Sequence, residues 1–219
     1  MIGDKALVVF SGGQDSTTCL FWALRNFTHT EAVAFNYGQR HVRELDAAAS
    51  IASMAKVLLQ VMELPLLNSI TDNSLTRHGK AIEKQSDSGT PNTLVEGRNL
   101  LFLTFAAIYA KSKGIRNLVT GVSQTDYSGY PDCRDNFIQS ANTTLSLAMD
   151  YEFKIHTPLM YLTKSQTWMM ADELGVFNII AEQTVTCYEG IPGKGCGLCP
   201  SCELRATGLK EYRSGRFEY

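Results

Sequence analysis

The chain carries no excess of basic charge. Lys and Arg number 20 against 22 Asp and Glu, a formal net charge of −2 with a pI near 6.1. Proteins that grip a phosphate backbone are usually basic, so no stable nucleic-acid partner is expected. Long hydrophobic runs are also missing. The longest, Leu100–Ala110, is interrupted by Thr104 and Tyr109 and reaches about half of a membrane span. No membrane partner is expected. The apolar stretch Ala6–Phe10 is too short for a signal-peptide core, and no small-residue cleavage site follows it. The expected location is therefore cytoplasmic, where cysteines serve as metal ligands or catalytic groups more often than as disulfides. Internal repeats and long charge runs are absent too.

What is present is ordinary globular composition, 44% hydrophobic and 19% charged, which excludes disorder or a fibrous chain as a whole. The 219 residues suit one domain plus a small appendage. Strand patterns fall at Lys5–Phe10, Glu31–Asn36, Val57–Leu64, Asn117–Gly121 and Lys154–His156. Helical patterns fall at Asp15–Asn26, Val42–Met54, Glu96–Lys113, Arg134–Ala148 and Thr163–Leu174. Asn68–Asn92 is polar and predicts a long loop or lid. This alternation predicts an α/β fold, a parallel sheet with helices on both faces. The one compositional break lies near residue 184. It divides an α/β domain, 1–183, from a C-terminal segment, 184–219, with no clear period.

The first strand runs into Phe10-Ser11-Gly12-Gly13-Gln14-Asp15-Ser16 and then a helix. Paired glycines allow close backbone approach, Ser11 and Ser16 add hydroxyls, and a helix N-terminus favours phosphate. Asp15 would repel a bare anion. It makes sense if Mg2+ bridges carboxylate and phosphate. The pattern is neither the Walker loop nor the dinucleotide fingerprint. The plainer alternative is a tight capping turn.

The motif SGGQDS after a first strand resembles the PP-loop of the N-type ATP pyrophosphatase superfamily. That superfamily cleaves ATP between the α- and β-phosphates and activates an oxygen as an adenylate. The resemblance implies nucleotide contacts from Phe10, Ser11, Gly12, Gly13, Gln14, Asp15, Ser16, Thr17, Thr18, Cys19 and Leu20. It also places adenine near Phe35 and Asn36. Ser11, Asp15, Ser16 and Lys164 are the expected catalytic residues. Lys164, near a helix start, either neutralises phosphate charge or is a solvated helix lysine.

Four of the six cysteines lie in the last 33 residues. Cys187, Cys196, Cys199 and Cys202 read C-x8-C-x2-C-x2-C, a spacing that closes a tetrahedron of thiolates. Soft thiolates favour zinc or an iron–sulfur cluster, and four ligands leave no open position. Structural Zn2+ is expected; an iron–sulfur cluster, a redox dithiol and buried unliganded cysteines are the alternatives. Cys19 reads as a small buried hydrophobe. Cys133 stays open between packing and reactivity.

A PP-loop with a C-terminal four-cysteine site resembles the 7-cyano-7-deazaguanine synthase family of queuosine precursor biosynthesis. The segments that carry it are FSGGQDSTTCL (Phe10–Leu20), FNYGQRH (Phe35–His41), EGRN (Glu96–Asn99), DYSGYPDCR (Asp126–Arg134) and CYEGIPGKGCGLCPSC (Cys187–Cys202). The resemblance implies a C–N bond-forming ligase that uses ATP to turn 7-carboxy-7-deazaguanine and ammonia into the nitrile. It also implies a homodimer. The purine-like substrate is expected against Arg98, Asn99, Asp126, Tyr127, Ser128, Gly129, Tyr130 and Asp132. Carboxylates there would accept guanine N–H groups and tyrosines would stack; Arg98 reads equally as a surface cap. Gln39, Arg40 and His41 are weaker candidates. A tRNA thiolase, an amide-forming synthetase and a zinc-ribbon binding module are the rival functions.

Overall fold

The computed structural model describes residues 2–39, 43–66, 94–125 and 130–215. The strands β1 (Gly3–Val9), β2 (Phe27–Asn36), β3 (Leu58–Glu63), β4 (Asn117–Val119) and β5 (Lys154–His156) form one sheet, ordered β3-β2-β1-β4-β5. Every pairing is parallel. The helices that shape the site are α1 (Gln14–Asn26), α2 (Arg43–Met54), α3 (Arg98–Ser112), α4 (Asp135–Met149), α5 (Lys164–Glu173), α6 (Phe177–Gln183) and α7 (Pro200–Arg213).

Side chains alternate across a strand, and β1 shows how this divides the core. Ala6, Val8 and Phe10 join Leu20 and Ala23 of α1 and Ile51 of α2 on one face. Leu7 joins Leu103 and Ala107 of α3 and Ile138 and Leu145 of α4 on the other. A third cluster, Trp168, Ala171, Val176 and Ile180, binds α5 and α6 together, and Leu209 and Tyr212 of α7 pack against it. Strand order runs outward from β1 in one direction and from β4 in the other. Their carboxyl ends therefore make the crevice where open α/β sheets bind ligands.

The predicted elements all recur, with two kinds of difference. β2 begins at Phe27, directly after α1, not at Glu31. Phe27, Thr28 and Thr30 suit an extended chain, and the register Gly3↔Phe27 and Lys5↔His29 extends the ladder backward. The tail predicted to lack period contains α7, with α6 just before it. α7 is mostly polar; Pro200 in its first turn, favoured where an N–H has no helical partner, was its available mark. The loop expected at Asn68–Asn92 lies outside the described residues.

His156 on β5 carries a testable consequence. Its Nε2 lies 3.0 Å from Asn117 Oδ1, and Phe27 packs edge-on at 5.5 Å. Burial, with help from Lys154, lowers its pKa to about 4. The unfolded imidazole protonates near 6.5, so its stabilising contribution is whole above that pH. It is lost as pH falls through 6.5 toward 4, because the unfolded chain then binds the extra proton. Glu44, raised to about 7, acts in the opposite sense from pH 4.5 to 7, so a difference measurement is needed. The unfolding free energy of wild type minus His156→Gln should shrink by about 2 kcal/mol between pH 7.5 and 4, after allowance for screening of a partly exposed ring. A pH-independent difference would refute the assignment.

Candidate nucleotide site and four-cysteine centre

The turn between β1 and α1 is built around two glycines. Gly12 has φ of +79°, and a Cβ there would lie 2.6 Å from the Glu44 carbonyl and 2.7 Å from the Ala48 nitrogen of α2. Only glycine permits both that conformation and that approach. Ser11 and Ser16 brace the turn: their hydroxyls lie 3.0 Å apart, and Ser11 N–H donates to Ser16 Oγ at 3.2 Å. Thr17 N–H donates to Gly13 O. This leaves the N–H groups of Asp15 and Ser16 at the helix start without intrahelical acceptors, as helix geometry requires. On the other side Gly121, just past β4, lets the chain pass close: a Cβ there would be 3.0 Å from Ser16 N.

Asp15 meets Lys164. Lys164 Nζ lies 2.9 Å from both carboxylate oxygens. Thr163 caps α5 reciprocally with Gln166 and so fixes the turn that presents this lysine. Lys164 is buried, which overturns the solvated-lysine alternative. Gly208 of α7 makes the room, since a Cβ there would lie 2.7 Å from Lys164 Cβ and Cγ. A glycine inside a helix costs about 1 kcal/mol; here it admits a buried cation to the loop.

The rest of the expected nucleotide set divides. Phe10 and Gln14 are buried at the loop's base, and Thr17, Thr18, Cys19 and Leu20 are wholly buried along α1. Those four support the loop from inside and do not line it. Thr18 Oγ1 donates to Gln14 O, and the Cys19 thiol to Thr120 O. Burial raises the Cys19 pKa well above its usual value, as suits a packed thiol. The Gln14 amide and the Thr17 hydroxyl are buried with no hydrogen-bond partner among the described residues, an unusual polar surplus beneath one turn. The Phe35 ring stacks on Phe102 at 4.3 Å and so faces the core. Asn36 closes the strand end, its side chain accepting from Gly38 N–H.

Across from the loop lies an ionisable cluster. Arg98 donates to the Tyr37 hydroxyl at 3.3 Å. Burial disfavours its charge, yet Tyr37, Tyr130 and Asp132 hold its pKa above the usual value; partly buried and bonded to Tyr37, it is not a free surface cap. Burial lifts the Glu44 pKa to about 7 against the lowering effect of Arg98. Neither Tyr37, inside the segment Phe35–His41, nor Glu44 is among the site residues expected from the sequence. Asp132 accepts the Asn99 N–H at 3.0 Å, and Asn99 Nδ2 donates to Asp132 O and Cys133 Sγ. These two expected substrate residues are thus held together at the start of α3. Gln39 likewise closes a turn, accepting from Tyr37 N–H and donating to Phe35 O. Asp126, Tyr127, Ser128, Gly129, Arg40 and His41 lie outside the described residues.

The four cysteines converge. Sγ atoms of Cys187, Cys196, Cys199 and Cys202 all lie within 4.8 Å of one another. Gly195 is obligatory, since a Cβ there would collide with Cys202 Sγ. Backbone N–H groups of Glu189 and Cys196 donate to Cys187 Sγ, and those of Leu198 and Cys199 to Cys196 Sγ. The Leu198 N–H chiefly lowers Cys196 to about 7, whereas burial raises Cys199 and Cys202. Four such sulfurs stay together as thiolates only around a cation. The donor set fits a closed tetrahedral metal site.

This centre touches the loop. Val185 N–H donates to Gly12 O at 3.0 Å, and Gln14 N–H to Thr186 Oγ1 at 3.1 Å. Among the described residues no helix is long and apolar enough to cross a membrane.

Comparison with known proteins agrees with this geometry. The fold is similar to that of a 4-thiouridine synthetase solved as an RNA complex with bound ATP, with a TM-score of 0.56 and 18% identity over 96% of this chain and 54% of that one. The chain thus spans about half the length of that neighbour. An NMN synthetase from Francisella tularensis aligns over 98% of this chain and 87% of its own, with a TM-score of 0.50 and 14% identity. A predicted subunit of tRNA methyltransferase from Methanocaldococcus jannaschii aligns over 78% and 76%, with a TM-score of 0.50 and 17% identity. At these identities the likeness is one of fold. The sequence model of the family described as "Queuosine biosynthesis protein QueC" matches residues 5–213, phosphate loop and all four cysteines included. The chain belongs to the QueC family of queuosine biosynthesis proteins.

Proposed function

We propose that the protein converts 7-carboxy-7-deazaguanine and ammonia to 7-cyano-7-deazaguanine, splitting ATP to AMP and pyrophosphate at each activation. The observation that carries this is the Asp15–Lys164 pair at the mouth of the glycine turn, within a chain of the QueC family. A carboxylate shares its charge over two oxygens and is a poor electrophile. Its attack on the ATP α-phosphate releases pyrophosphate and gives an acyl adenylate. Ammonia displaces AMP, and loss of a proton leaves the amide. The amide oxygen attacks a second ATP. Loss of the nitrogen-bound protons with departure of AMP gives the nitrile.

The chain's own groups orient and neutralise; none need bond covalently to substrate. Ser11, Ser16 and the free N–H groups of α1 cradle pyrophosphate. Lys164 offsets its charge. Asp15 would hold Mg2+, which when bound neutralises charge on the phosphates. Arg98 stands ready for the carboxylate of the substrate, and Asp126, Tyr127, Ser128, Gly129 and Tyr130 would frame its base. Zn2+ on Cys187, Cys196, Cys199 and Cys202 would be structural. In this reading residues 1–183 form the catalytic domain and 184–219 a metal-closed segment packed on it. The enzyme acts in the cytoplasm as a homodimer on small molecules, with no bound nucleic acid and no membrane contact.

The test is turnover of the purified, metal-loaded protein. AMP should form from ATP only when both the deazaguanine acid and ammonium are supplied. AMP formation that instead needs a tRNA and a sulfur donor would favour the thiolase alternative and defeat this proposal.

A further inference from the structure

Arg205 lies on α7 three residues beyond Cys202, takes no part in the chemistry above, and is buried. Its guanidinium donates to Thr184 Oγ1 at 2.7 Å, Thr186 Oγ1 at 3.0 Å and Ile180 O at 2.6 Å. Its face covers the Trp168 ring at 5.1 Å, and the Trp168 indole N–H donates back to Arg205 O. A planar fork with several fixed acceptors defines one geometry, which an ammonium cannot copy.

Arg205 thus holds Thr184 and Thr186 on either side of Val185, and Val185 and Thr186 are the residues that clasp the phosphate loop. Val185 N–H holds Gly12 O, and the Thr186 hydroxyl receives Gln14 N–H while also receiving the Arg205 N–H. Cys187, the first metal ligand, follows immediately. A continuous run of hydrogen bonds and backbone therefore joins the cysteine centre to both sides of the loop. We propose that Arg205 is a positioning residue that couples the four-cysteine centre to the phosphate loop through Thr186. The proposal rests on the ATP-binding reading above.

Coupling of this kind is reciprocal: a ligand that fixes the loop must also tighten the metal centre. The experiment follows removal of metal from the holoprotein by a competing chelator, with and without ATP. Equilibrium binding of ATP is measured in parallel. In wild type, saturating ATP should tighten metal affinity, read from equilibrium competition with the chelator, by about tenfold, within the usual range of coupling. Thr186→Val keeps the shape and removes the shared hydroxyl; Arg205→Lys keeps the charge and removes the fork. Both should retain the metal and a cooperative melt, yet lose most of the protection by ATP, with ATP bound about tenfold more weakly. Conserved protection and affinity in Thr186→Val, with ATP binding wild type normally, would overturn the coupling alone. Failure of ATP to bind wild type would overturn the functional reading, and the coupling with it.

Discussion

Asp15→Ala should lower turnover by about a thousandfold, the scale seen when a single electrostatic stabiliser is removed from an active site. A carboxylate facing a phosphate at about 4 Å is repelled by roughly 4 kcal/mol at an effective dielectric of 20. The phosphate loop therefore tolerates Asp15 only if cations stand between them. Lys164 is one such cation, 2.9 Å away, and the proposed Mg2+ is the other. Removing the carboxylate deletes the proposed metal position and takes one ionic partner from Lys164. It also leaves a buried ammonium without that partner, at a cost of about 1–3 kcal/mol. For a domain of this size, that is a fall in melting temperature of roughly 3–10 °C. Asp15→Asn separates the two effects. Its amide oxygen still accepts from Lys164, so the melting temperature should recover while turnover stays low. Retention of a tenth of wild-type turnover in Asp15→Ala would show that the carboxylate is not part of the machinery.

Cys199→Ser should produce the largest loss of stability. The wild type is expected to carry about one metal ion per chain, and the variant almost none. Structural zinc contributes on the order of 10 kcal/mol of binding free energy that is also folding free energy. Much of that should vanish from the segment beginning at Cys187. Cys199 also precedes Pro200 at the head of α7, and α7 carries Gly208, which makes room for Lys164. The damage should therefore reach the phosphate loop as weaker ATP binding, beyond a local melt of the tail. Elemental analysis of the wild type without metal, or a metal-loaded Cys199→Ser protein of unchanged melting temperature, would contradict this. A colourless protein with zinc would separate the expected ion from an iron–sulfur cluster.

The strands were legible because their apolar runs end at glycine or proline and alternate with helical stripes, as in Lys5–Phe10 and Asp15–Asn26. The glycine turn and the cysteine cluster were legible because contiguous residues carry them, and the resemblance added the nucleotide role of the turn. The remainder of the site was hidden for a physical reason. α7 is largely polar and gives little periodic signal, yet Arg205 and Gly208 on it hold the loop and admit Lys164. Glu44 and Tyr37 become notable only when folding brings Arg98 beside them. The hydrogen bonds that join Asp132 to Asn99, 33 residues apart, are likewise a product of folding. Long-range partnerships of this kind leave no trace in residue spacing.

On the proposed route one site adenylates twice, first an acid and then its amide. That route is tested most directly by counting AMP against nitrile in a single reaction with limiting acid. Two AMP per nitrile, each with one pyrophosphate and with the amide appearing transiently between them, is the predicted result. One AMP per nitrile, or ADP and phosphate in place of AMP, would rule this route out.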